Sequence, residues 1–185
     1  MLQHSAKALV TGHTSGLGLG IYEALQERKI EVVGLSRSTG YDVASQQDKI
    51  LDLAKGATIF VNNAYAGFYN VTLLYKLFEL WKTTDNLIVN ISSDSGNGTK
   101  DFPHIYAVAK SALDKACEQL QNCSGGCRII NIRPSYIDTP RVANVDAQKL
   151  SVREMTDVIL WCISQPPNVY IQNIQLKARH RSATP

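Results

Sequence analysis

Tyr106 and Lys110 are the residues whose type and spacing most readily suggest chemistry, in the run Tyr106-Ala107-Val108-Ala109-Lys110. Positions four apart share a helix face, so an ammonium would lie beside a phenol. A free phenol titrates near about 10, too high for ready proton exchange at neutral pH. A neighbouring cation stabilises the phenolate and moves the group toward a useful value. A half-buried tyrosine beside an exposed lysine on an ordinary helix would show the same letters, so the pair needs company to carry weight.

Some of that company stands near the N-terminus, in Thr11-Gly12-His13-Thr14-Ser15-Gly16-Leu17-Gly18. The segment follows an apolar β-type run and opens a helix-type one. Glycines there let the chain turn sharply and bring backbone N–H groups close to a pyrophosphate, and a helix N-terminus adds partial positive charge. The G-K-[ST] ending of an ATP- or GTP-binding loop is missing. Together, T-G-x-x-x-G-x-G and Y-x-x-x-K resemble the short-chain dehydrogenase/reductase family. The resemblance runs from about Ala6 to Leu176.

The resemblance implies roles for individual residues. Gly12, Thr14, Ser15, Gly16, Leu17 and Gly18 would cradle the cofactor phosphates. Ser93, thirteen residues before Tyr106, would donate a hydrogen bond to the substrate oxygen. Ser92 and Ser95 compete for that role, but Ser92 should point to the opposite side of its strand. Asn70 matches the asparagine that helps hold a relay water beside the lysine, and it also suits a helix N-cap. Asn63 and Ala64 resemble the N-N-A-G segment near the riboses, although Tyr65 and Ala66 intervene before Gly67. Asp42 and Val43 resemble the pair flanking the adenine. Pro134, Ile137 and Thr139 resemble the segment that meets the carboxamide and pyrophosphate, with Ser135 where the family has glycine.

Cofactor choice turns on Ser36-Arg37-Ser38 at the end of the second β-type run. An acidic residue there would accept hydrogen bonds from a ribose 2′-OH. Arg37 instead suits a 2′-phosphate, so NADP(H) is expected to be preferred, with NAD(H) possible. A solvated surface arginine is the plainer alternative.

To position these groups the chain must supply a parallel sheet covered by helices. Short β-type runs alternate with helix-type ones, which predicts an α/β fold, a Rossmann-type doubly wound parallel sheet in three α/β/α layers. Strands are expected at Lys7–Val10, Ile30–Ser36, Ala57–Asn62, Leu87–Ser92, Arg128–Arg133 and Val169–Leu176, and helices at Gly16–Arg28, Ser45–Lys55, Val71–Lys82, Ile105–Gln121 and Val152–Ser164. The crossover after the second strand is truncated: Arg37–Val43 has no room for a helix, so a third strand could be only a stub near Tyr41–Val43. Pro140–Leu150 is all that remains where the family carries a substrate-covering lid, which implies an open site. Tyr65, Phe68, Ser95, His104, Tyr136 and Val142 are candidate substrate contacts.

The 185 residues suit one domain (residues 1–176), with 177–185 as a flexible basic tail. A net charge of +3 gives no ground for expecting nucleic acid or a membrane surface as partner. No apolar run approaches the roughly 20 residues of a spanning helix. The segment Met1–Lys7 lacks a signal-peptide apolar region, so a cytoplasmic location is expected. Four cysteines suit reduced thiols there. Cys123 and Cys127 form a C-x3-C without further ligands at matching spacing, so no metal is expected.

The expected activity is that of a carbonyl reductase or alcohol dehydrogenase acting on a small-molecule carbonyl or alcohol. The alternative is a catalytically silent NADP(H)-binding regulatory or scaffold protein. A sugar-nucleotide epimerase would need a C-terminal substrate domain for which there is no room. The helix at Val71–Lys82 is apolar on more than one face, which suggests a homodimer or homotetramer.

Overall fold

The computed structural model describes residues 6–123 and 126–179. Residues 1–5, the centre of the C-x3-C (Ser124-Gly125) and residues 180–185 of the basic tail lie outside the described residues.

Among the described residues, six short strands form one all-parallel sheet: β1 (Lys7–Thr11), β2 (Glu31–Leu35), β3 (Ile59–Asn62), β4 (Leu87–Ile91), β5 (Arg128–Pro134) and β6 (Asn173–Leu176), in spatial order β2-β1-β3-β4-β5-β6. Five helices connect them: α1 (Gly16–Glu27), α2 (Gln47–Ala54), α3 (Tyr69–Trp81), α4 (Ile105–Gln121) and α5 (Val152–Ser164). This is the Rossmann-type α/β fold.

Alternation along the strands builds two cores. Leu9, Phe60, Ile88 and Ile129 face α2, α3 and α4, where Ile50, Leu73, Leu74, Leu77, Leu113 and Leu120 meet them. Ala8, Val10, Val61, Val89 and Ile130 face the other way, onto Leu17, Ile21 and Leu25 of α1 and Met155, Ile159 and Ile163 of α5. Both faces of these strands are therefore buried, which explains why they read as continuous apolar runs. The many-sided apolar character of α3 is accounted for within the chain, because α2 and α4 flank it and the Trp81 indole donates to Ala54 O at 3.1 Å.

Sequence order reverses at β1, which has β2 on one side and β3 on the other. Such a switch point opens a crevice at the carboxyl ends of the strands. The turns after β1, β2, β3, β4 and β5 all open there, and they carry Gly12, Ser36, Asn63, Ser93 and Ser135.

Several elements differ from the expected bounds, chiefly at the two edges of the sheet. Tyr41–Val43 forms no strand, so β2 is the sheet edge. The chain instead makes a 3-10 turn at Arg37–Thr39, closed by reciprocal hydrogen bonds between Ser36 and Thr39 and by Gly40 at φ 83°. The last strand begins at Asn173 rather than Val169. Val169 closes a turn onto Pro166 O at 2.9 Å, and Gln172 O is shared by Asn131 N and the Gln121 side chain, so regular pairing starts only beyond it. β5 also runs on through Pro134, which stands opposite Leu176 while the following Ser135 N donates to Leu176 O at 2.8 Å.

Candidate active site

The crevice is a cleft of about 1410 Å³. One end is the glycine-rich turn. Gly12 and Gly16 adopt φ 73° and 54°, a region that favours glycine. Gly18 has another reason: a Cβ there would lie 2.1 Å from Gly12 O and 2.6 Å from the Asn63 amide nitrogen. Asn63 uses that amide to donate to Thr11 O at 2.9 Å, while Thr11 Oγ1 accepts from the N–H groups of Asn63 and Ala64 at 2.9 and 3.0 Å. Thr11, which opens the motif but was given no role of its own in the sequence, thus ties the ends of β1 and β3 together. No side chain caps α1 at Ser15, whereas Ser151 and Glu154 cap α5 reciprocally. The uncapped N-terminus faces the cleft, and a phosphate would satisfy it.

Beyond the turn the cleft passes Arg37, Asp42 and Val43. Arg37 is exposed and joins none of the ion pairs among the described residues. The Asp42 carboxylate is turned back on its own loop, accepting from Ala44 N at 2.8 Å.

The other end of the cleft holds Ser93, Tyr106 and Lys110. Lys110 is buried, and its Nζ donates to Ile91 O at 2.6 Å. Burial lowers its pKa to about 8, partly opposed by the Asp114 charge one helical turn on, and the Arg141 charge lowers it further. The same Nζ lies 5.7 Å from the ring centroids of both Tyr65 and Tyr106. The Tyr106 phenol is pushed above its ordinary value by burial, while the nearby Ser93 hydroxyl and the charge of Arg141 pull it back. This corrects the expected electrostatics. With the protein's own groups alone, Lys110 does not bring the phenol below its ordinary range, because burial acts on both partners and the ammonium is turned toward a backbone carbonyl.

The Ser93 hydroxyl caps the short turn Asp94–Gly96, accepting from Ser95 N at 3.2 Å. Ser92 points the other way, its hydroxyl donating to Lys110 O at 3.4 Å.

Every expected cofactor contact lines this cleft: Gly12, Thr14, Ser15, Gly16, Leu17, Gly18, Arg37, Asp42, Val43, Asn63, Ala64, Tyr106, Lys110, Pro134, Ile137 and Thr139. Of the candidate substrate contacts, Tyr65, Ser95, His104, Tyr136 and Val142 line it too. Phe68 does not; it caps α3 and is exposed. Asn70 also stands off the cleft lining. It is buried in the first turn of α3 rather than at its cap, and both amide N–H groups are used, on Asn62 Oδ1 at 2.9 Å and Ala64 O at 2.7 Å. Its Oδ1 accepts from Ala66 N at 2.7 Å. Asn62 in turn donates to Asn90 Oδ1 at 2.9 Å. Geometrically, the Asn70 side chain shapes the turn after β3.

Sequence reasoning passed over Arg141. It stands on a 3-10 turn (Pro140–Val142), its guanidinium carbon 5.1 Å from the Tyr65 ring centroid and 5.6 Å from that of Tyr106. The Tyr65 and Tyr106 rings are themselves 4.9 Å apart. No spacing rule announces such a residue.

No family model matches the chain. An uncharacterized oxidoreductase of Staphylococcus epidermidis is 25% identical over 147 residues, and the alignment covers 77% of this chain and 59% of that protein. The chain thus spans less than two thirds of that relative's length. Among solved structures, a short-chain dehydrogenase from Burkholderia cenocepacia in complex with NADP superposes with a TM-score of 0.77 at 20% identity, covering 92% of this chain and 87% of that one. A 3-ketoacyl-(acyl-carrier-protein) reductase from Brucella melitensis complexed with NADH gives 0.77 at 17% identity, covering 93% and 96%. At these identities the superpositions show the fold they share with this chain.

Proposed function

We propose that the chain is an NADP(H)-dependent oxidoreductase of the short-chain dehydrogenase/reductase type, a carbonyl reductase or alcohol dehydrogenase. One observation carries the reading: a single cleft joins an uncapped, glycine-lined helix N-terminus to a cluster of buried Ser93, half-buried Tyr106 and buried Lys110. The residues present fit a dinucleotide. The α1 N-terminus would hold its pyrophosphate, Val43 and Asp42 its adenine end, Arg37 its 2′-phosphate, and Ile137 and Thr139 its nicotinamide end. When bound, the nicotinamide supplies the hydride that the carbonyl carbon accepts.

The chain's own residues do the rest. Ser93 donates a hydrogen bond to the carbonyl oxygen and stabilises the charge that develops there. Tyr106 gives that oxygen its phenolic proton, so the carbonyl becomes an alcohol and the tyrosine a phenolate. Lys110, charged at neutral pH, compensates the phenolate. Asn70 acts as a positioning residue by holding the turn that carries Ala64 and Tyr65.

The four free thiols suit a reducing compartment such as the cytoplasm. No helix among the described residues is long and apolar enough to cross a membrane. Ile105 and Val108 of α4 and Tyr75 of α3 are exposed, which supports assembly as a homodimer or homotetramer through these helices. Sedimentation as a monomer would remove that part of the proposal.

The test is binding of NADPH and NADH to wild type and Arg37→Ala, followed by Tyr106→Phe in any carbonyl reduction found. NADPH should bind more tightly, and Arg37→Ala should abolish the difference. Equal affinities in the wild type would sink the NADP(H) preference. Tyr106→Phe should slow reduction by about 10²–10⁴-fold. Unchanged turnover would remove Tyr106 from the mechanism, and cofactor binding with no turnover on any carbonyl would favour a silent NADP(H)-binding protein.

A further inference from the structure

We infer that Arg141 selects the substrate, and that the carbonyl compound reduced beside Tyr106 is a short oxo acid whose carboxylate Arg141 grips. The inference rests on the oxidoreductase reading above and names its substrate class.

Placement is the first argument. The guanidinium stands over the rings of Tyr65 and Tyr106, at 5.1 and 5.6 Å from their centroids, and so at the chemical end of the cleft. It is separate from the phosphate end. The strap that carries it leaves that end at Thr139, whose Cγ2 lies 3.1 Å from where a Cβ on Gly16 would be. Two residues further on, the chain has reached the reacting phenol.

The strap is also held in place. Asp138 N donates to Leu150 O at 2.7 Å and Leu150 N to Tyr136 O at 2.8 Å, pinning both ends of the short segment. Between them Pro140 opens a 3-10 turn in which Val142 N donates to Thr139 O at 3.0 Å. Tyr65 offers its ring face to the cation, a contact that orients a guanidinium without neutralising it.

Charge is the third argument. None of the ion pairs among the described residues includes Arg141. The charges that share its influence on Tyr106 and Lys110 are Asp94 and Asp114, and neither carboxylate comes within 4.0 Å of it. Arg141 is exposed at the edge of the cleft, and an unpaired guanidinium there is suited to a bidentate carboxylate. Its guanidinium carbon lies 5.6 Å from the Tyr106 ring centroid, so the gripped carboxylate would belong to a short oxo acid, with the 2-oxo and 3-oxo acids as the first candidates.

Three compounds provide a matched test. Butanone is what remains of both 2-oxobutanoate and acetoacetate when their carboxylate is replaced by methyl. With NADPH, wild type should show a kcat/KM for one or both oxo acids at least about 10–100-fold above that for butanone. Arg141→Gln should bring the ratio to about one, chiefly through KM, and Arg141→Lys should restore part of it. Calorimetric binding of 2-oxobutanoate and acetoacetate to the Tyr106→Phe protein supplies a readout without turnover, and adding Arg141→Gln should abolish it.

Butanone reduced as well as the oxo acids would overturn the inference while leaving the oxidoreductase reading intact. So would absence of oxo-acid binding, whatever the turnover. A tenfold loss of NADPH affinity in Arg141→Gln would reassign the residue to the cofactor and overturn it too. Failure of wild type to bind NADPH would instead sink the oxidoreductase reading, and Arg141-dependent binding of the two oxo acids would still decide the inference.

Discussion

Replacing Lys110 with methionine should make the protein more stable while removing its chemistry. Lys110 is 5% exposed, and its pKa falls from 10.5 to about 8. At about 1.36 kcal/mol per unit, folding below pH 8 carries a cost of about 3 kcal/mol for keeping that ammonium buried. Methionine fills a similar volume without charge but leaves Ile91 O without its 2.6 Å donor, a loss of about 1 kcal/mol. The net expectation at pH 7 is a gain of about 2 kcal/mol, read from urea unfolding without added cofactor. The pH dependence makes the test sharper. Because the folded pKa lies below the unfolded one, the folded wild type releases its proton first as pH rises through about 8, while the unfolded chain keeps its proton to about 10.5. Wild-type stability therefore rises relative to Lys110→Met across that window, and the variant's advantage should vanish by its upper end. Tyrosines and cysteines titrate in both proteins, so the difference isolates Lys110. A variant less stable than wild type at pH 7, or a difference constant from pH 7 to 10, would refute the account of a buried, strained ammonium.

Three further outcomes are expected. Gly18→Ala places a methyl 2.1 Å from Gly12 O, backbone that cannot rotate away, so unfolding stability should fall by about 1–3 kcal/mol and NADPH affinity with it; normal values of both would show that the turn is looser than described. Asn70→Ala strips partners from Asn62 Oδ1, Ala64 O and Ala66 N and should cost about 2–3 kcal/mol in urea unfolding, whereas a purely catalytic asparagine would lower turnover alone. The kcat/KM for NADPH reports groups of the protein before the cofactor binds, so it should fall as pH rises through about 8, where Lys110 loses the charge that steadies the phenolate; a profile flat from pH 7 to 9.5 would remove Lys110 from that role.

The parts of the fold that could be read in the sequence are those where local pattern and burial coincide. Leu87–Ile91 is buried at every position, and such a run has one interpretation between two helical segments. α4 and α5 match their expected bounds because each carries a continuous apolar stripe, and α5 an additional Ser151–Glu154 cap. The glycine turn was legible because backbone geometry demands those residues. The path after β2 was less so: whether Tyr41–Val43 pairs depends on hydroxyl contacts among Ser36, Ser38 and Thr39, which close the loop locally and leave nothing to pair. Asn62, Asn70 and Asn90 looked like separate polar residues, although together they form a buried amide network. Their partnership joins residues 8 and 28 positions apart, a relation that only the packed sheet creates.

Arg141 was hidden for a different reason, and it changes how the Tyr106–Lys110 pair should be understood. A pair read from spacing alone is a cation beside a phenol. In the folded chain, burial opposes charge on both, raising one pKa and lowering the other, so at neutral pH the resting site holds a protonated phenol and an ammonium that a small rise in pH would discharge. That is the arrangement of an acid, suited to protonating a carbonyl oxygen, and it needs an outside influence before it can act as a base. Arg141 is such an influence, since its charge draws down both Tyr106 and Lys110 and its pairing with an anion would release both. Tyr65 supplies the shelf on which that charge rests, and the shortness of the strap from Thr139 to Leu150 brings it there. On the reading proposed for Arg141, selection comes from pairing that charge with the substrate rather than from enclosing the substrate.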